Sequence, residues 1–254
     1  MNPTIQAICA RKSVRAYADR PIKPEEKRAI LEAALQAPTA GNMTLYTILD
    51  ITDPAIKARL AVTCDNQPFI AEAPVVLIFC ADYRRWYELF KRHVEEVRDP
   101  EEGDLLLANA DAIIAAQNAV VAADSLGIGS CYIGDITENI EIHRELLCLP
   151  DYVTPACMLC FGYPTLQQAQ REKPIRFKVE DIVHENTYRV EDDRPMEDML
   201  AERNEVPSEG VGEWVQRFCA RKWNSEFSVE MSRSCREIIR LWGKKHPKTP
   251  KNED

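Results

Sequence analysis

The fold of this chain is decided by residues 103–127, "GDLLLANADAIIAAQNAVVAADSLG". The sequence predicts a helix here, and apolar residues or alanines occupy nearly every side of it. A helix of that composition belongs in the middle of a domain, because a surface helix would carry polar residues along one face. The other elements of the chain are therefore expected to pack around this helix.

Apolar stretches on both sides of the long helix predict strands. Residues 73–81, "APVVLIFCA", form a continuous run rich in β-branched residues, which is typical of a central strand buried on both faces. Residues 45–51, 130–136 and 157–163 predict further strands, and a short helix is expected near 140–147. Helices and strands alternate without a constant repeat, so a mixed α/β core is favoured over a doubly wound sheet.

The two ends of the chain differ in composition. Asn2 and Pro3 predict the start of a first helix that ends near Ala10, and Pro24 starts a second one that stops before Pro38. Residues 190–210 are charged and poor in large apolar side chains, whereas aromatic residues return after 213. We therefore expect a domain at 1–190, followed by a charged linker and a helical extension at 191–254.

Charge and cysteine content limit the function classes. The formal net charge of −9 argues against broad binding of nucleic acid or anionic membranes. No run of about 20 apolar residues is present, and the N-terminus lacks the order of a signal peptide. The nine scattered cysteines suit a reduced core. These features together predict a soluble, cytoplasmic protein.

Polar stretches between the predicted elements are the candidate binding residues. "RKSVR", residues 11–15, brings fixed positive charge, a hydroxyl and backbone donors together, which suits a phosphate. Glycines in "GIGSCYIG", residues 127–134, permit the close approach of a flat ligand. The other polar stretches are 37–42, "APTAGN", 65–69, "DNQPF", and 171–176, "REKPIR". The set predicts a ligand with one phosphate, a polar stem and a planar ring.

Other cofactor motifs are weak or absent. The chain has no dinucleotide fingerprint or Walker-type loop. Cys157 and Cys160, in "CMLC", have the spacing of a metal or redox pair, but positions three apart in a strand point to opposite faces. We therefore expect core cysteines and no metal site, with zinc or dithiol chemistry as the lesser alternative.

The order and spacing of the polar stretches resemble the FMN-dependent nitroreductase family. "RKSVRAY" is similar to the family's basic flavin motif, and "APTAGN" to its loop of small residues. "NQPFIAEAPVVLIFCA", "LGIGSCYIGDI", "CFGYP", "KPIRF" and "IVHENTY" follow in the family's order, so the resemblance covers about residues 4–190. It implies an α+β fold in which helices flank a mixed sheet around a long buried central helix, in an obligate homodimer.

The resemblance also implies which residues hold the FMN phosphate. Arg11 and Ser13 would bind it, with Lys12 beside the phosphate or the ribityl chain. Lys173 and Arg176 would add positive charge to the same phosphate from the far end of the domain.

The flavin ring is assigned by the same resemblance. Arg15 would reach the pyrimidine edge, where a cation stabilises the anionic reduced flavin, and is therefore the residue expected to influence catalysis. Asn66 and Gln67 would hydrogen-bond the other edge.

Two further groups complete the implied site. One face of the ring would be covered by the backbone around Cys131, Tyr132 and Gly134. Thr39 and Asn42 would come from the second subunit, because the family's site lies at the dimer interface. A monomer would then have half of a cofactor site.

The resemblance implies an FMN-dependent NAD(P)H oxidoreductase that works in two half-reactions. NADH or NADPH would pass a hydride to the flavin, and a small electron-poor acceptor such as a nitroaromatic or a quinone would take it. Residues 43–46, "MTLY", differ from the glutamine, proline and tryptophan of many members, so the acceptor pocket is open to other interpretations. The alternatives are a non-catalytic flavin-binding or redox-sensing protein, a dehalogenating or ring-oxidising relative, and an interaction module whose polar stretches are ordinary loops.

Overall fold

The computed structural model describes residues 2–189 and 194–243. Their Cα positions form two compact units, one made of the residues up to 171 and from 230 onward, the other of residues 172–229. The separate extension expected at 191–254 stays a prediction, and its residues 191–193 and 244–254 lie outside the described residues.

Twelve α-helices and four strands are described. The helices are α1 (Pro3–Ala10), α2 (Pro24–Leu35), α3 (Pro54–Thr63), α4 (Phe69–Glu72), α5 (Arg84–His93), α6 (Glu102–Ser125), α7 (Ile140–Leu146), α8 (Leu166–Gln170), α9 (Val179–Ile182), α10 (Met196–Asn204), α11 (Val211–Phe218) and α12 (Glu226–Trp242). The strands are β1 (Tyr46–Ile51), β2 (Val75–Asp82), β3 (Gly129–Ile133) and β4 (Val153–Gly162). The predicted long helix, the four predicted strands and the Asn2 cap of α1 are confirmed.

The strands form one sheet in the order β1-β2-β4-β3. All three strand pairs are antiparallel, and Leu77 of β2 lies opposite Leu159 of β4. Every residue of β2 is buried, which confirms its predicted central place. Among the described residues, parallel pairing occurs at the isolated bridge between Ser13 and Ser130. The expected α+β class, with helices flanking the sheet, is confirmed.

The two faces of the sheet carry separate apolar clusters. On one face, Phe79 and Cys157 pack in the same cluster as the alanine side of α6. On the other face, Cys160 packs with residues of α3 and of the 129–136 segment. Cys157 and Cys160 therefore lie on opposite faces of β4, as their spacing predicts.

The helix α6 is buried along one side and exposed along the other within this chain. Ala108, Ala112, Ala115 and Ala119 are fully buried. Four large apolar side chains point outward: Leu106, Leu107, Ile113 and Ile114. Among the described helices, α6 has the length and composition that a membrane span needs. However, 44% of its most apolar stretch of 18 residues is buried inside the protein. The alanine side belongs to the core, and the leucine and isoleucine side is open.

The second unit is held by its own aromatic and ionic contacts. The guanidinium of Arg203 lies 4.3 Å from the ring centre of Phe177 and 6.0 Å from that of Trp214. Arg194 pairs with Asp181 at 3.2 Å and with Glu202 at 3.0 Å. The helices α10 and α11 agree with the predicted helical character of this part of the chain.

Candidate functional site

The basic motif of residues 11–15 lies along the edge of the sheet. The amide of Val14 donates to the carbonyl of Ser130 at 3.0 Å. This approach depends on Gly129, since a Cβ atom there would lie 2.4 Å from a methyl group of Val14. The absence of a side chain at residue 129 therefore lets the motif lie directly against β3.

A buried guanidinium nitrogen without a hydrogen-bond partner lies at this edge. Nη1 of Arg11 is shielded from solvent and has no hydrogen-bond partner among the described residues. A buried guanidinium nitrogen is normally paired, so its geometry fits an anion supplied by a ligand. The donor set of an arginine, a serine hydroxyl and a second arginine suits a phosphate and a polar ring.

The thiol of Cys131 connects the basic motif with β3. Burial raises the pKa of this thiol, while the charge of Arg15 and hydrogen bonds with Ser13 and Arg15 act in the opposite direction. The guanidinium of Arg15 also lies 5.9 Å from the ring centre of Phe69. Three of the predicted site residues, Ser13, Arg15 and Cys131, are thus adjacent.

Lys12 has a structural task in this chain. Its ammonium group donates to the carbonyl of Ala169 at 2.6 Å and to that of Arg171. These carbonyls lie at the C-terminal end of α8, where a cation is favourable. The nearby Gln168 accepts from the amide of Arg15 at 3.1 Å. The structure therefore places Lys12 where it ties the motif to α8.

Gln67 has a defined orientation. Its amide nitrogen donates to the carbonyl of Cys64 at 2.8 Å and to Asp135 at 3.1 Å. Both amide hydrogens are used, so the carboxamide oxygen is the atom left to accept. The preceding Asn66 is exposed and has a left-handed backbone, with φ at 51°. Through Asp135, this turn joins the segment that holds the glycine loop.

The remaining residues of the glycine loop surround the same edge. Tyr132 is half-buried, and its hydroxyl donates to Gln117 at 3.3 Å. Gly134 is exposed directly after β3. The structure thus brings together residues 11–15, Gln67 and residues 131–134.

Lys173 and Arg176 belong to the second unit. Both lie on the segment between α8 and α9, and Arg176 is exposed, with Nη1 3.4 Å from the carbonyl of Pro174. Their predicted part in phosphate binding stays a prediction.

Thr39 and Asn42 lie in the loop between α2 and β1. The hydroxyl of Thr39 donates to Asp111 of α6 and accepts from the amide of Thr44 at 2.8 Å. Asn42 is exposed, and its φ is 57°. Among the described residues, no hydrogen bond joins this loop to residues 11–15. That Thr39 and Asn42 serve a second copy of the chain stays a prediction.

Sequence analysis overlooked several residues that shape the site. They are Asp111, which holds the loop, Gln168, which fixes Arg15, and the carboxyl groups of Asp135 and Glu138. Asp111 could have been noticed in the sequence, because it is an acid between alanines and isoleucines in the middle of a mostly apolar helix. Asp135 and Glu138 lie in a polar turn and Gln168 in the short helix α8, where spacing along the sequence says nothing of their contacts.

Known proteins are similar to this chain in sequence and in fold. The profile described as "Nitroreductase family" matches residues 8–163. The "Oxygen-insensitive NADPH nitroreductase" of Salmonella typhimurium is 36% identical over 76% of this chain and 78% of its own length. The "FMN reductase (NADPH)" of Bacillus subtilis is 34% identical over 76% of this chain and 77% of its own.

Solved structures agree with these sequence relatives. The NADPH:FMN oxidoreductase from Vibrio harveyi, solved with NAD+, has a TM-score of 0.78 at 27% identity and covers 94% of this chain and 98% of its own. Nitroreductase A from Vibrio parahaemolyticus has a TM-score of 0.79 at 28% identity, with the same coverage. The profile match spans more than half of the sequence. The basic motif of residues 11–15, the sheet and the long helix α6 lie within the matched residues. This chain belongs to the nitroreductase family.

Proposed function

We propose that this protein is an FMN-dependent NAD(P)H oxidoreductase that works by two successive hydride transfers. The observation that carries the proposal is the partnerless, buried guanidinium nitrogen of Arg11, in a basic motif fixed against β3. The relatives named as NADPH nitroreductase and FMN reductase support the same activity. When bound, FMN would accept a hydride from NADH or NADPH and pass it to an electron-poor acceptor such as a nitroaromatic or a quinone.

The phosphate of FMN would be held by the N-terminal motif. Arg11 would supply the buried positive charge, and Ser13 a hydroxyl donor. Lys12 would act by keeping the motif and the end of α8 together, since its ammonium donates to the carbonyls of Ala169 in α8 and of Arg171 directly after it. Lys173 and Arg176 would add charge from the following segment.

The ring would be recognised at both edges. Arg15 is exposed and fixed at its backbone by Gln168, so its guanidinium can meet the electron-rich edge and stabilise negative charge on it. The free acceptor on the Gln67 carboxamide matches a ring N–H, and Asn66 lies beside it. The backbone of Cys131, Tyr132 and Gly134 would cover one face.

The active form would be a cytoplasmic homodimer. The open side of α6 and the exposed Ile5 and Ile8 of α1 present apolar surface that a second copy would cover. In such a dimer, Thr39 and Asn42 of one chain would complete the cofactor site of the other.

The deciding experiment is the visible absorption spectrum of the purified protein, recorded before and after NADH or NADPH is added without oxygen. We expect a flavin spectrum that bleaches within seconds to minutes of the addition. A flavin spectrum that persists would favour a flavin-binding or redox-sensing protein instead. A protein that holds no flavin and takes up no added FMN would contradict the proposal.

Two arginine variants test the separate roles of the motif. Arg15→Ala should slow flavin reduction at least roughly tenfold in stopped-flow traces while FMN is retained. Arg11→Ala should instead raise the FMN dissociation constant about 10- to 100-fold, because it removes a charge-assisted contact. The control is Arg28→Ala, which removes an exposed arginine paired with Glu32 on α2. Full FMN retention in Arg11→Ala would refute the phosphate assignment, and an unchanged reduction rate would remove Arg15 from the mechanism.

A further inference from the structure

The loop of residues 39–45 is held in an unusual backbone conformation. Three of its residues have left-handed backbones, with φ at 56° for Gly41, 57° for Asn42 and 53° for Thr44. For residues other than glycine such conformations cost on the order of 1 kcal/mol or more each, and they persist where surrounding contacts impose them. The contacts that impose this loop should therefore be visible around it.

Asp111 supplies the contacts on the α6 side. Asp111 is buried, with only 3% of the residue exposed. It accepts from the hydroxyl of Thr39, from the amide of Ala40 at 3.1 Å and from the amide of Leu45 at 3.3 Å. One carboxyl group thus binds both ends of the loop.

Two side chains of α5 donate hydrogen bonds to carbonyl groups of the loop and of the residue after it. Nε1 of Trp86 donates to the carbonyl of Met43 at 2.6 Å. Nη2 of Arg85 donates to the carbonyls of Thr44 at 3.0 Å and Tyr46 at 2.6 Å. Amides are therefore held from α6 and carbonyls from α5, which leaves Gly41 and Asn42 exposed at a fixed tip.

We propose that Asp111 is a positioning residue for the cofactor site, and that it acts by holding the tip of the 39–45 loop in the shape that meets FMN bound to the partner copy. This inference rests on the proposed function, because the loop would contact FMN across the dimer. It also changes the part assigned to Thr39. The Thr39 hydroxyl already donates to Asp111 and accepts from Thr44, so it shapes the loop, while the exposed tip makes the contact.

The test compares Asp111→Asn with Asp104→Asn in the full-length protein. Both aspartates are buried on α6, but Asp104 pairs with Arg98 and caps the helix, away from the loop contacts. Hydrogen exchange of the Ala40, Thr44 and Leu45 amides reports the loop, and flavin fluorescence titration reports the FMN dissociation constant. We expect Asp111→Asn to speed exchange at these amides and to raise that constant about 10- to 100-fold, as for loss of hydrogen bonds to a charged group. Asp104→Asn should lower the melting temperature and leave both readouts as in the wild type.

A second variant keeps the test decisive if Asp111→Asn fails to fold. Thr39→Val removes the hydroxyl that joins Asp111 to Thr44 and should weaken FMN binding in the same direction by a smaller factor. Faster loop exchange with unchanged FMN affinity would overturn the inference, as would wild-type exchange in Asp111→Asn. A wild-type protein that takes up no FMN would overturn the proposed function instead, and loop exchange would still show whether Asp111 holds the loop.

Discussion

Glu138 is a buried carboxyl group in the turn that precedes α7. Only 5% of the residue is exposed, and Oε1 has no hydrogen-bond partner among the described residues. Burial raises the pKa of this carboxyl to about 8, with further contributions from the charge of Asp135, a hydrogen bond to it, and the charges of Asp65 and Glu230. At neutral pH, Glu138 therefore holds a proton in the folded protein.

This protonation predicts a pH-dependent stability. An unfolded glutamate releases its proton near pH 4.3, so from about there to pH 8 the folded state holds a proton that the unfolded state has lost. The contribution of Glu138 to stability thus falls as the pH rises through this window. Glu138→Gln should not titrate, and we expect it to gain stability over the wild type between pH 4 and pH 8, by up to about 5 kcal/mol.

The measurement is chemical unfolding of both proteins at several pH values. Glu145→Gln serves as control, because it neutralises an exposed glutamate on the adjacent helix. A difference between Glu138→Gln and wild type that is the same at every pH would show that the carboxyl group is not protonated in the folded state.

At the scale of residues, sequence predicted charge clusters better than buried polar contacts. Arg11, Ser13 and Arg15 were recognisable because three polar groups with phosphate-binding chemistry stand within five positions. Glu138 was not recognisable in the sequence, because its raised pKa arises from burial and from carboxylates up to 92 positions away along the chain. Such effects belong to the tertiary structure, and spacing along the sequence does not contain them.

At the scale of elements, the site depends on how closely the N-terminal segment lies against β3 and β4. Besides the Val14 amide bond to Ser130, the amide of Ala18 donates to the carbonyl of Tyr163 at 2.8 Å. The segment therefore behaves as a short extra edge of the sheet, and it delivers the basic motif to the end where the glycine loop begins.

Gly129→Ala should separate this segment from the sheet. The added methyl group would lie 2.4 Å from Val14, so the chain must move, at a cost of about 1 to 3 kcal/mol for overpacking. We expect a lower melting temperature together with weaker FMN retention, because Arg11 and Ser13 move with Val14. Gly103→Ala is the matched control, since its methyl group meets nothing within 4 Å and an alanine favours the helix α6. Wild-type FMN affinity in Gly129→Ala would show that the close approach is unimportant for the site.

Helices and strands with a strong hydrophobic pattern were predicted well from the sequence. The neighbours that they pair with in the sheet were not. The apolar run predicted β2 because burial on both faces leaves a continuous hydrophobic signal, and α6 was predicted because apolar residues or alanines occupy nearly every side of it. The antiparallel order β1-β2-β4-β3 could not be predicted this way, since each strand shows which faces are buried and not which neighbour covers its edge. Residues 37–42 were recognised by their composition alone, while the left-handed backbone of the 39–45 loop accompanies its contacts with Asp111, Arg85 and Trp86.

At the scale of the whole molecule, the open side of α6 is an apolar surface that the single chain leaves uncovered. Leu106 is 71% exposed, and Leu107, Ile113 and Ile114 continue the same stripe at helical spacing. Sequence predicted that α6 is apolar on nearly every side, but a pattern cannot distinguish burial by the same chain from burial by a second copy. The single chain covers the alanine side, so the leucine and isoleucine side is where the proposed dimer would form.

Ile113→Lys tests this surface. Because the side chain is 42% exposed in the single chain, the lysine should leave the fold and its circular dichroism intact. In a dimer it would bury a charge at the interface, and we expect the dimer dissociation constant to rise roughly 10- to 100-fold. FMN retention should fall in step with the loss of dimer, since each site would lose the 39–45 loop of the other chain. Analytical ultracentrifugation and flavin absorbance measure the two quantities, with Val94→Lys, an exposed valine outside α6, as control. A monomeric variant that keeps its FMN would mean that one chain holds the complete cofactor site, and a variant that stays dimeric would place the interface on another face.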